Sequence, residues 1–193
     1  IPPARARDLV TLGKSGDLRL AWVRAGQPMT ASLAKRQSVL PALTKQPNGD
    51  LALRLFSDAP GQLKAAMTGK SSLRIDLRNS TVGNFAVLKP VMEQLAAKGS
   101  YGVIATEKGD TPMPLRVEQG ASTKRQITFI VDKSTRGAAE VLALALSSKG
   151  AAKLSGEGTA GERAIVGVTG LPDGSGYTLP TGRWMAAPKG GKS

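Results

Sequence analysis

Neither cysteine nor histidine occurs anywhere in the 193 residues. Without cysteine there can be no disulfide scaffold, no thiol nucleophile and no thiolate zinc site. Without histidine there is no Ser-His-Asp or Cys-His machinery, no zinc-protease helix, and no switch near neutral pH of the usual kind. A hydrolase made from this chain must use a lysine, a carboxylate or an amino terminus as its base. Aromatic residues are also few, with two Trp, two Tyr and three Phe. Leu, Val and Ala therefore have to fill the core. With 40% of residues hydrophobic, the chain is long enough for one full domain, or one domain plus a fragment. No apolar run approaches the roughly 18 residues of a transmembrane segment. The chain opens on Ile1 and shows no charged stretch followed by an apolar one. It is therefore expected to be a processed or cut piece carrying no signal peptide.

Positive charge is plentiful, with 27 basic against 14 acidic residues and a net charge of +13. Such a balance raises the question of nucleic acid. The distribution answers it. The excess is spread as +5, +4 and +4 over residues 1–50, 51–100 and 101–193, and the longest basic runs are the pairs Lys35-Arg36 and Lys124-Arg125. There is no basic tail and no arginine-rich helix, so a solvated surface is expected and no specific nucleic-acid partner. Nothing calls for a cofactor or a metal.

Hydrophobic periodicity supplies the elements. Residues 4–12 read as a short helix ended by Gly13. Residues 17–33 read as a hairpin turning at Ala25-Gly26-Gln27-Pro28. Two prolines and Asn48-Gly49 make 37–50 a linker. Strands are expected at 51–56, 72–78, 101–107 and 126–132, the last a strongly buried one. Helices are expected at 58–69, with Asp58 as cap and Pro60 in its first turn, and at 137–149, closed by Gly150. Asn84 could cap a further helix running to Lys98, which Pro90 would delay or kink. Residues 108–125 read as polar loop. Three short strands follow, AKLSGE, AIVGVTGL and GYTLPTGRW, and then a frayed tail. From residue 51 onward the order is β-α-β-α-β-β-α-β-β-β, an α/β pattern.

Two motifs carry potential chemistry. Gly156 to Gly161 matches G-x-G-x-x-G, but a strand rather than a helix follows, so no helix N-terminus would meet a pyrophosphate. Glu162 also stands where a phosphate-binding loop needs lysine. A glycine-rich turn between strands is the expectation. The stretch VDKSTRGAAEVLALAL (131–146) is a strand, a sharp turn and a helix. Such a turn can present a nucleophile to backbone N–H donors. Ser134 and Thr135 are the hydroxyls available there, and capping of the helix is their other reading.

The order of SLRIDLRNSTVGN (72–84), ITFIVDKSTRGAAEVLALALSSKGAAKLSGEGTAG (127–161) and LPDGSGYTLPTGRW (171–184) resembles the carboxyl-terminal processing, or tail-specific, serine peptidases. The resemblance runs from about Asp50 to Lys189. Residues 1–38 resemble the last helix and final hairpin of the PDZ domain that precedes this core. It implies an α/β fold: a crotonase-like peptidase core at 51–189, a partial PDZ fragment at 1–38, a linker at 39–50 and a frayed tail at 190–193. It also implies a serine–lysine dyad, in which a neutral, desolvated lysine takes the serine proton. Protein or peptide chains with apolar C-terminal tails are the implied partners, and a periplasmic or secreted location the implied setting.

Carried over residue by residue, the family's nucleophile falls on Gly137, three residues before Glu140, and its lysine on Glu162. Both members of the dyad are substituted. The oxyanion donors fall on Ala138 and on the Val82-Gly83 turn, where Val82 replaces a second glycine. The PDZ-like piece lacks the strand and loop that would hold a peptide carboxylate. Three readings stand at this point: a pseudoprotease that binds a chain, an active serine peptidase using Ser134 with Lys133 or Lys153, and a non-catalytic binding or scaffold module, polyanions included. The pseudoprotease reading places Glu162 opposite Gly137, with a charge pair to Arg136.

Overall fold

A computed structural model of the chain describes residues 17–34, 40–106, 111–122, 124–172 and 176–186. The chain divides into two compact units, one of residues 1–40 with 167–179, the other of residues 41–166 with 180–193. In the first unit β1 (Asp17–Arg24) and β2 (Gln27–Ala34) form an antiparallel hairpin. Its turn is the dipeptide Ala25-Gly26, with φ of 51° and 77°. Positive φ at both positions is the two-residue turn whose twist matches that of the strands. Gln27 and Pro28, expected in the turn, instead pair with Arg24 and Val23. The helix expected at 4–12 and the tail lie outside the described residues.

From residue 41 the chain runs through β3 (Leu43–Lys45), β4 (Leu51–Leu53), α1 (Ala59–Ala66), β5 (Ser72–Asp76), α2 (Leu88–Leu95), β6 (Gly99–Thr106), β7 (Met113–Val117), β8 (Gln126–Val131), α3 (Ala138–Ser148), β9 (Lys153–Gly156), β10 (Ala164–Gly170) and β11 (Gly176–Met185). A five-stranded sheet has the order β3-β4-β5-β8-β9. Its β3–β4 pair is antiparallel and the remaining pairs are parallel. A four-stranded sheet has the order β10-β11-β6-β7. The architecture is mixed α/β.

The parallel sheet follows from its apolar runs. In β8 Ile127, Phe129, Ile130 and Val131 are all buried, as expected of a strand covered on both faces. Helices α2 and α3 pack together, and α2 also meets α1 and β7. Leu63, Met92, Leu142 and Leu146 bring the helices into the same core as Leu53, Ile75 and Phe129. Trp184 is fully buried there, and its indole N–H donates to the Tyr101 carbonyl at 2.9 Å. The ring lies so close to Gly102 that an added Cβ would sit 2.5 Å from Nε1. Only glycine fits that position.

Four local differences from the sequence reading have physical causes. The 39–50 segment is more than a linker: Leu43–Lys45 pairs with β4, and Asp50 is buried with its carboxylate 2.9 Å from Arg74 Nε. The 108–125 segment contains β7, where buried Leu115 and Val117 alternate with exposed Pro114 and Arg116. Asn84 caps a 3-10 turn at Phe85–Val87, its Oδ1 accepting from the Ala86 N–H at 2.8 Å. Helix α2 begins after that turn and ends at Leu95, leaving Pro90 in its first turn, where a missing N–H costs nothing. Asp58 stands at the N-cap of α1, but its carboxylate accepts from the Gln62 side-chain amide and not from the backbone.

Candidate active site

Because β5, β8 and β9 run parallel, their carboxyl ends lie on one edge of the sheet, the edge where α/β folds gather their chemistry. Three connections meet there. The first follows β5, at residues 77–83. The second is the 132–137 turn between β8 and α3. The third is the 157–163 loop after β9.

The turn after β8 is built on Asp132. Its carboxylate accepts from the Ser134 N–H at 3.0 Å and from the Asn79 N–H at 3.3 Å. The Thr135 hydroxyl, fully buried, lies 3.0 Å from that carboxylate and from the Leu77 carbonyl, and accepts from the Asp132 N–H at 3.1 Å. Arg136 N–H donates to the Ser80 carbonyl at 3.2 Å. These bonds tie the second connection to the first. Neither Ser134 nor Thr135 caps α3, whose N-cap residue is Gly137, without any side-chain cap. The capping reading of the two hydroxyls is thereby overturned: Thr135 is committed to Leu77 and Asp132, and Ser134 is three residues upstream of the cap.

The third connection is held by Glu140. This carboxylate, in the first turn of α3, is buried to 1% exposure. It accepts from Thr159 Oγ1 at 3.0 Å, from the Gly161 N–H at 3.0 Å and from the Glu162 N–H at 2.9 Å. Backbone bonds from Glu157 to Val131 and from Ala160 to Thr135 complete the joint. The G-x-G-x-x-G stretch is therefore a loop wrapped on a carboxylate, and it runs on into β10.

Five of the residues singled out in the sequence converge as a result. Gly137 N–H donates to the Glu162 carbonyl at 2.9 Å. The Glu162 carboxylate pairs with Arg136 Nη1 at 2.9 Å, with the Glu162 side chain half exposed and that of Arg136 one-fifth exposed. Gly83 lies against α3, since a Cβ built on it would be 3.5 Å from the Cβ of Ala138. Gly137 has φ 58° and ψ −131°, and a Cβ built on it would meet nothing within 4 Å. The backbone thus makes a sharp strand-to-helix turn aimed into open space, and carries no side chain at its apex. Ser134 stands on the same turn, and among the described residues no hydrogen bond joins its Oγ to a lysine. Lys153 is opposite Thr128, in the first half of β8, while Ser134 follows the end of that strand.

Asp132 and Glu140 went unrecognised as organisers of this region. Glu140 had a visible signal, a lone charge inside the otherwise apolar helix AAEVLALAL, since buried charges must be paired or hydrogen-bonded. At the end of β5, Asp76 is buried and receives hydrogen bonds from Arg78 and from Gln46. Burial pushes its carboxyl up, but the Arg78 and Gln46 hydrogen bonds outweigh that and hold it below its ordinary value.

The family model of peptidase family S41 matches residues 53–192. The chain belongs to peptidase family S41. A chloroplastic C-terminal processing peptidase from Tetradesmus obliquus is 28% identical to it over 162 residues, which are 81% of this chain and 35% of that protein. The solved structure of a photosystem II D1 C-terminal processing protease superposes with a TM-score of 0.65 at 22% identity, covering 89% of this chain and 51% of that one. A lipoprotein from Streptococcus agalactiae gives a TM-score of 0.59 at 21% identity, covering 75% and 58%. The S41 chain described here thus spans about a third of the length of this curated relative and about half that of these solved structures. No helix among the described residues is long and apolar enough to cross a membrane.

Proposed function

We propose that this S41 domain is a pseudopeptidase: it keeps the peptidase frame and holds a protein chain near its C-terminal tail, without cutting it by a covalent serine route. The observation that carries the reading is the apex of the 132–137 turn. There Gly137 offers no hydroxyl, its N–H is bonded to Glu162, and the Glu162 carboxylate is paired with Arg136. A dyad needs a serine and a neutral amine at these two places. Here they hold a hydrogen atom and a carboxylate.

In this reading residues 51–189 are a crotonase-like core, 1–38 the remnant of a PDZ domain and 39–50 the join between them. Gly83 and the Ala138 N–H are what remains of the oxyanion donors. The C-terminal processing relatives support a chain terminus as the bound partner, and the family resemblance supports a periplasmic or secreted setting.

The test is a serine-directed fluorophosphonate probe, applied beside an unfolded, apolar-tailed protein substrate. The chain should be neither labelled nor able to cleave. Labelling and cleavage that vanish in Ser134→Ala would overturn the proposal and make Ser134 the nucleophile.

A further inference from the structure

At the other end of β8 the second unit holds a cavity of about 690 Å³. Its floor is apolar, made by Leu95, Ile127 and Ala152 with the ring of Tyr101. Around that floor stand four cations: Lys124, Arg125, Lys149 and Lys153. No acidic side chain is among the described residues that line it. The lining reaches Thr128, and Phe129–Val131 separate it from the 132–137 turn, a span of about 13 Å; no lining residue belongs to that turn. The cavity is therefore no part of the S41 site.

The cations are a local feature and not simply a sample of a basic chain. Lys124 and Arg125 precede β8, while Lys149 and Lys153 flank the Gly150 turn that ends α3. Two segments distant in sequence thus bring two cations each to one volume. The Arg125 Nε–H donates to the Lys70 carbonyl at 3.1 Å, which fixes the guanidinium beside the cavity. The three lysines have no ion pair among the described residues, whereas Arg74, Arg78 and Arg136 are each matched with a carboxylate. Burial raises the Tyr101 phenol above its ordinary value, and the phenol donates to the Ala97 carbonyl at 2.8 Å. The ring is thus a neutral, fixed wall.

The geometry points to a ligand site for a nucleotide-sized anion: a small molecule with a flat apolar body and two or more negative charges. The volume lies within the range of small-molecule sites, which combine an apolar lining with a few placed polar groups. Phosphate groups would meet the lysines and Arg125 at the rim, and the body would cover Leu95, Ile127 and the Tyr101 ring. A bare anion would leave that floor uncovered, and a neutral apolar molecule would leave the three lysines unmatched.

The experiment is calorimetric titration of the full chain, at about 0.15 M salt, with adenosine triphosphate and with tripolyphosphate. One saturable site for the nucleotide is expected, at least about ten-fold tighter than tripolyphosphate. The double variant Lys149→Gln/Lys153→Gln should weaken the nucleotide by about ten-fold or more. Removing the same charge elsewhere, in Lys64→Gln/Lys89→Gln, should leave its affinity within about two-fold. Equal losses in the two variants would show diffuse attraction to a +13 chain and overturn the proposal. So would equal affinity for tripolyphosphate, or the absence of saturable nucleotide binding at about 1 mM.

Discussion

Gly137 adopts φ 58° and ψ −131°, backbone angles that side-chain-bearing residues rarely take. Space is not the constraint, because nothing lies within 4 Å of a Cβ built there. The cost of a side chain is conformational, about 1–3 kcal/mol, partly offset by the roughly 0.4–1 kcal/mol that losing a glycine's freedom in the unfolded chain returns. Gly137→Ala should therefore lower stability by about 1–2 kcal/mol, read as a drop in urea midpoint at unchanged slope. Asp76 gives a pH signature. Its carboxyl is held below the ordinary 3.8 despite burial, by Arg78 and Gln46. The stability it contributes is complete above the unfolded value and is lost as pH falls through the folded one. Melting temperature measured from pH 5 down to pH 2 should therefore fall less steeply in Asp76→Asn than in the unchanged chain, relative to each protein's value at pH 5.

Among the elements, α3 and the loop behind it act as one piece because Glu140 joins them. Its carboxylate takes three donors from Thr159, Gly161 and Glu162. Glu140→Ala would strand those donors, and Gly161 and Glu162 are exposed enough for water to replace part of the loss. The expected cost is about 2–4 kcal/mol, with amide exchange of residues 157–163 accelerating more than that of β5. If 157–163 and β5 accelerated equally, Glu140 would be a general core residue and not the joint. The elements that were legible in the sequence are those with long signals. ITFIV could only be a buried strand, and AAEVLALAL between a turn and Gly150 could only be a helix. Two short elements were not legible: β3 has three residues, and β7 has only two inward apolar positions, Leu115 and Val117, just after Pro114. Both form because neighbouring strands supply their hydrogen bonds, which local sequence does not record. In the site, Gly137 and Glu162 could be singled out only through the family resemblance. The bonds of Asp132 and Thr135 join residues more than fifty positions apart, Thr135 to Leu77 and Asp132 to Asn79, and no local pattern announces them.

At the scale of the whole molecule, the parallel sheet assembles one edge from three stretches that are far apart in sequence. In the proposed reading, the frame of an S41 site persists while its two reacting side chains are replaced. That separation can be tested by restoring the side chains. Gly137→Ser alone supplies a hydroxyl, while the Glu162 carboxylate stays paired with Arg136 at 2.9 Å. Glu162→Lys alone supplies an amine with nothing to activate. The double variant places serine at the apex of the turn, with room for its side chain, and an amine across from it. Arg136 would then be a like charge beside the new lysine and would lower its pKa, the direction a neutral base requires. Glu162 is half exposed, however, so desolvation would add little. Breaking the Arg136–Glu162 pair should cost more than the roughly 0–1 kcal/mol of an exposed pair, because Arg136 is only one-fifth exposed, while serine at Gly137 carries the backbone penalty already described. Reaction with a fluorophosphonate should appear in the double variant and in neither single one, since dyad members act as a unit. Turnover of a protein substrate should lag behind labelling. In the proposed reading Val82 stands in the oxyanion turn, where one lost donor can reduce the rate by roughly 10²–10³. Adding Val82→Gly to the double variant should then raise turnover more than labelling. Labelling of either single variant at the rate of the double would show that Gly137 and Glu162 are not a dyad's two places.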